Sequence, residues 1–129
     1  MVKKLVGFSF KVDDRPGALA SALEIIGKDG FNIEACAAIS SEGKGAVCLV
    51  TNNPQKTTEA FNKAGIKYEL KELIEINVPD KPGELAKITH ALGEAKVNIS
   101  FLFITMRKTV AIAVDNTSEA VTTLQKFSA

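Results

Sequence analysis

Apolar and polar positions alternate strictly near the start of the chain. Val6, Phe8, Phe10 and Val12 are apolar, and Gly7, Ser9 and Lys11 separate them. A period of two predicts a strand with one buried face. The period then changes: Leu19, Leu23 and Ile26 fall at i, i+4 and i+7, which predicts a helix of about three turns. Gly30 is placed to end that helix in a left-handed conformation. Phe31 to Ile39 reads as a strand, Ser41 to Gly45 as a hairpin turn and Ala46 to Thr51 as the returning strand. Asn53 and Pro54 supply a cap and a first residue for a second helix running to about Ala64. Gly65 then releases the chain into a strand from Ile66. The order βαββαβ is that of a ferredoxin-like unit, a four-stranded antiparallel sheet with both helices on one face.

The pattern occurs twice. Asp14, Pro16, Gly17, Leu19 and Ala20 match Asp80, Pro82, Gly83, Leu85 and Ala86, an offset of 66. Gly27, Asn32 and Ile33 continue that offset to Gly93, Asn98 and Ile99. A three-residue deletion then sets the offset to 63, pairing Val47 with Val110, Leu49 with Ile112 and Asn53 with Asn116. An internal repeat fixes the fold expectation before any local detail does. The second copy reads as a strand from Ile74, a helix over Gly83 to Ala95, strands over Val97 to Met106 and Val110 to Val114, and a helix over Ser118 to Phe127. The fold class is therefore α+β, two βαββαβ units at residues 1–72 and 73–129, the second without its fourth strand. That missing strand leaves an edge for a partner to cover. No glycine or proline interrupts Ile66 to Val78, so the last strand of the first unit should run directly into the second unit. Ile99 to Met106 is apolar on both faces, which predicts a second cover from the other unit or from another chain.

The repeated turn carries the candidate chemistry. Pro16 and Pro82 suit a helix start, where the missing N–H costs nothing. Gly17 and Gly83 leave the amides of residues 17–19 and 83–85 accessible, and free amides at a helix N-terminus attract anions. Asp14 and Asp80 stand beside them. A carboxylate on the amides and an ammonium on the aspartate together describe an α-amino acid. The same segment is also simply a good strand-to-helix turn.

The βαββαβ order with Asp14-Arg15-Pro16-Gly17-Ala18-Leu19 and Gly30-Phe31-Asn32-Ile33 resembles the ACT domain. Asp80-Lys81-Pro82-Gly83-Glu84-Leu85 with Val97-Asn98-Ile99 resembles it again, so the likeness covers essentially the whole chain. It looks like a stand-alone tandem ACT protein without a catalytic domain. The resemblance implies an amino acid or similar small metabolite bound at an interface between units, and regulation of a metabolic enzyme or of transcription. It points to the two turns and to Asn32 and Asn98, expected near them, as the binding residues. The first turn is expected to be the better site, because Glu84 replaces Ala18 beside the amides and Lys96 replaces Gly30 at the helix exit.

Composition narrows the alternatives. The 129 residues are 46% apolar and 24% charged with a formal net charge of +1, an ordinary globular balance without the basic excess of a nucleic-acid binder. The third strands of both copies lack the aromatics on which RNA-recognition modules stack bases. No apolar run is long enough to span a membrane and the N-terminus does not read as a signal peptide, so a cytoplasmic location is expected. Cys36 and Cys48 are expected to be buried free thiols, and with one histidine, His90, no zinc set assembles. No nucleophile pairs with a base, so no enzyme activity and no cofactor are expected. A ligand-free assembly module that recruits a partner enzyme through sheet edges is the alternative, and a homodimer is expected in either case.

Overall fold

A computed structural model describes residues 2–28 and 30–127. The elements run β1 (Val2–Asp13), α1 (Ala18–Lys28), β2 (Ile33–Ser41), β3 (Lys44–Thr51), α2 (Pro54–Ala64), β4 (Glu69–Ile76), α3 (Glu84–Glu94), β5 (Ile99–Ile104), β6 (Val110–Val114) and α4 (Thr117–Gln125). The fold class is as expected: two ferredoxin-like units of antiparallel strands and paired helices. One compact unit is Val6–Lys71; the other joins Met1–Leu5 to Glu72–Ala129. No described helix is long and apolar enough to cross a membrane.

In the first unit β3 lies between β2 and β1, antiparallel to both. Phe8 and Phe10 of β1 and Val47 and Leu49 of β3 point to one face, where they meet Ala22 and Ile26 of α1 and Ala60 and Phe61 of α2. The period-two and period-3.6 patterns converge on this core. Phe8, Phe10, Phe61 and Tyr68 form a ring cluster with centroids 5.1–5.8 Å apart. Glu42 (φ 52°) and Gly43 (φ 79°) make the β2–β3 turn, both left-handed, as a tight hairpin of the favoured twist requires.

The second unit repeats this core position by position. Ile74, Ile76, Ile88, Leu92, Val110, Ile112 and Leu124 stand where the first has Phe8, Phe10, Ala22, Ile26, Val47, Leu49 and Phe61. Here β6 lies between β4 and β5. The place of the absent fourth strand is not empty. Residues 2–5 of β1 belong to this unit, β1 neighbours β4, and Val2 packs on its core. The edge expected to await a partner is thus filled by the chain's own N-terminal strand, which runs several residues further back than its alternation suggests.

The expected continuity after α2 holds, because β4 is one strand with Glu69–Lys71 in the first unit and Glu72–Ile76 in the second. It starts later than the sequence suggests, since Ile66 to Tyr68 form no strand. Ile66 and Tyr68 nevertheless pack on the first core and Val78 on the second, as their shared parity predicts. Leu70, of the same parity, is 60% exposed. Within the single chain no residue of β5 is fully buried, and Met106 is 79% exposed.

Candidate functional site

Both copies of the turn fold identically, and differently from a helix opened by proline. Ala18 donates its amide to the Arg15 carbonyl at 3.3 Å, and Glu84 donates to the Lys81 carbonyl at 3.3 Å. Gly17 and Gly83 each adopt φ 85°. Proline at the second position and a left-handed glycine at the third define a type II turn. The prolines therefore precede the helices, which begin at Ala18 and Glu84. Glycine is needed for its backbone conformation, because a Cβ at either position would meet open space. The turn uses the amides of Ala18 and Glu84. Those of Gly17, Leu19, Gly83 and Leu85 meet no acceptor among the described residues.

Each turn borders a surface hollow, built by the same route. Because β1 runs antiparallel to β3, the β2–β3 hairpin tip lies alongside the end of β1. The first hollow, about 180 Å³, has Val12, Leu19, Ala38, Ile39 and Val47 as its apolar lining, with Asp13, Asp14, Arg15 and Ser40 at its polar side. The second, about 240 Å³, has Val78, Leu85, Ile104 and Val110 with Asp80, Lys81 and Lys108.

The polar groups of the first hollow are already engaged. Lys44 Nζ donates to Asp13 at 2.8 Å, Arg15 lies 3.6 Å from the same carboxylate, and Ser40 Oγ donates to Asp14. The Lys44 ammonium, with Arg15 adding to it, holds the Asp13 carboxyl below the usual carboxylate range. In the second hollow no described side chain bonds Asp80. Glu84 does not line it, because Lys87 Nζ holds that carboxylate at 3.2 Å. Lys96, expected to alter the helix exit, takes φ 61° and so reproduces the left-handed exit of Gly30 at 78°. The helix-exit geometry therefore does not distinguish the two turns.

Asn32, Ile33, Asn98 and Ile99 are not brought to the turns. The Asn32 amide donates to Asn52 Oδ1 and the Asn98 amide to Asp115 Oδ1, each at 3.0 Å, where β2 and β5 begin. Asp14 instead lies beside Ser40, near the end of β2. Helix α1 carries the chain away from its turn for 11 residues, about 16 Å at 1.5 Å per residue. The expected proximity fails because the helix intervenes.

Sequence reasoning missed the hairpin contributions of Ile39, Ser40, Ile104 and Lys108; the signal was the topology, which sets each hairpin beside its turn. It also missed Glu75, fully buried amid the apolar residues of β4. Arg107 Nη2 donates to both its oxygens at 3.0 and 2.8 Å, and Thr109 Oγ1 donates to it as well. Burial pushes the Glu75 carboxyl upward, but the Thr109 hydroxyl, Arg107 and the Lys3 charge outweigh it and hold it below the usual value. Of the two thiols only Cys48 is buried, and burial pushes it up to about 11; Cys36, expected to be buried, is exposed. His90 is exposed, 3.5 Å from Glu94.

Two compact ferredoxin-like units, each with the same turn before its first helix, define a tandem-repeat architecture. A family model described as ACT domain pair matches residues 3–126, and the chain belongs to that family. Among solved structures, a protein from Bacteroides thetaiotaomicron superposes with a TM-score of 0.88 at 20% identity, covering 97% of this chain and 89% of that one. The ligand-free regulatory subunit of aspartate kinase from Thermus thermophilus gives 0.71 at 14% identity, covering 96% and 92%. The corresponding subunit from Thermus flavus gives 0.66 at 14% identity, covering 98% and 94%. Among curated proteins none matches this chain significantly.

Proposed function

We propose that this chain is a cytoplasmic regulatory sensor that binds an amino acid or related metabolite at a strand–helix turn and controls a metabolic enzyme. The observation that carries the reading is the second turn. There, Asp80, whose carboxylate no described side chain bonds, and Leu85, whose amide meets no acceptor among the described residues, line one partly apolar hollow. An α-carboxylate suits the amides and the helix dipole, and an α-ammonium suits Asp80. Family membership supports the reading, and so does the fold shared with regulatory subunits of aspartate kinase. The hollow is open on one side. A second copy closing it in a homodimer fits the proposal that ligand binds where ACT units meet.

Thermal melting with each of the twenty amino acids tests this, because a ligand specific to the folded state raises the midpoint. At least one should do so, and Asp80→Ala should abolish the shift while Asp14→Ala retains most of it. If none shifts the midpoint, the sensor reading fails. The alternative, a ligand-free module that recruits an enzyme through its edges, is favoured by the half-buried Phe101–Phe103 pair, 5.0 Å apart on the outermost strand β5. It requires partner capture that no amino acid modulates.

A further inference from the structure

We propose that the second hollow selects a dicarboxylic α-amino acid, one whose side chain ends in a second acid group. The inference rests on the reading of that turn as a ligand site, and goes on to the class of ligand. The two hollows differ in charge. In the first, two aspartates are balanced by Arg15 and Lys44, and both carboxylates are engaged within the protein, Asp13 by Lys44 and Asp14 by Ser40. In the second, Lys81 and Lys108 face the single carboxylate of Asp80. No described acid pairs with either lysine. Once a ligand's ammonium has occupied Asp80 and its α-carboxylate the amides, two cations remain at the rim. Val78, Leu85, Ile104 and Val110 supply apolar surface for one or two methylenes. A second carboxylate then balances the site, whereas a basic side chain meets like charge.

Lys108 is not there because the fold demands it. At the 63-residue offset of the repeat it corresponds to Gly45, where a Cβ would lie 2.9 Å from the Val12 side chain. Lys108 instead sits at φ 62°, a conformation that disfavours lysine. Its hairpin tip is pinned on both sides. The Lys108 amide donates to the Thr105 carbonyl at 3.0 Å, and the neighbouring Arg107 and Thr109 both bond Glu75. The first unit has Ser9 at the position of Glu75 and Ala46 at that of Thr109, and folds without such a network. The second copy thus carries a buried anchor that holds a cation-bearing tip at the edge of the hollow.

Calorimetric titration of the full chain with L-aspartate, L-glutamate, L-asparagine and L-glutamine separates the outcomes. At least one acid should bind about fivefold or more tightly than its amide, as one partly exposed ion pair allows. Raising the salt concentration should narrow that ratio. Lys81→Met with Lys108→Asn, an asparagine being tolerant of the left-handed backbone, should bring the ratio near one by weakening the acid more than the amide. An amide that binds as well as its acid, or binding confined to neutral or basic amino acids, overturns the ligand class while the site reading stands. Absence of binding by all twenty amino acids overturns both.

Discussion

Removing the Arg107 side chain should expose the cost of a buried carboxylate. Glu75 alternates with Ile74 and Ile76, which enter the helix-side core, so its carboxylate lies on the opposite face, 1% exposed. It survives there as an anion because Arg107 and Thr109 donate three hydrogen bonds to it. Breaking a fully buried pair from one side costs about 3–5 kcal/mol. The Arg107 side chain is 41% exposed and the Thr109 bond remains, so water can partly replace the guanidinium. Arg107→Ala should therefore cost about 2–3 kcal/mol, a large share of the roughly 5–15 kcal/mol typical of a folded domain. Glu75→Leu with Arg107→Leu removes both partners and leaves no orphaned charge, so the double variant should be closer to wild type than Arg107→Ala. Urea unfolding of the wild type, Glu75→Leu, Arg107→Leu and the double variant gives the coupling directly.

The pH dependence has a definite sign. The folded-state carboxyl of Glu75 is held below its usual value, so its contribution is complete above the unfolded-state pKa of about 4.3 and is lost as pH falls through the folded value. The stability gap between wild type and Glu75→Gln should hence be largest near neutrality and close under acid conditions. If Arg107→Ala changes stability by less than about 0.5 kcal/mol, or if that gap widens in acid, the carboxylate is not a buried, paired anion and the reasoning is wrong.

Further outcomes follow from single backbone and cap positions. Gly83→Ala should destabilise by about 1–2 kcal/mol because φ is 85°, whereas Gly93→Ala, inside α3 with open space around it, should stabilise by up to about 1 kcal/mol; thermal melts compare them. Lys96→Gly should raise stability by about 0.5–1 kcal/mol, since lysine there is held at φ 61°. Asn53→Ala removes the cap that accepts from the Lys56 amide at 3.0 Å and should cost about 1 kcal/mol by urea unfolding. One thiol per native chain should react readily with a thiol reagent, Cys36, and two once the chain is unfolded; rapid labelling of Cys48 in the native state contradicts its burial.

The sequence determined the repeat and, through it, the fold. Two periods, 2 and 3.6, recur at offsets of 66 and 63, and residues at matching positions enter matching cores. Local rules sufficed because each concerns neighbours along the chain: the Asn53 cap, the left-handed Gly30 and Gly65, the Asx-Pro entry to α2. Half of the candidate site was legible for the same reason, since the turn is one contiguous segment whose glycine conformation its sequence imposes. Its other wall was not. Lys108 and Ile104 reach the second hollow only because β6 pairs with β4 and sets the β5–β6 tip beside Asp80. Asn32 and Asn98 follow the turn closely in sequence, yet an intervening helix sends them to the opposite end of their strands. Tertiary structure also decided what fills the missing strand position, residues 2–5, and which carboxylates are engaged. These are contacts between residues distant in sequence. Their geometry is set by strand pairing and packing, on which chain-local periodicity has no bearing.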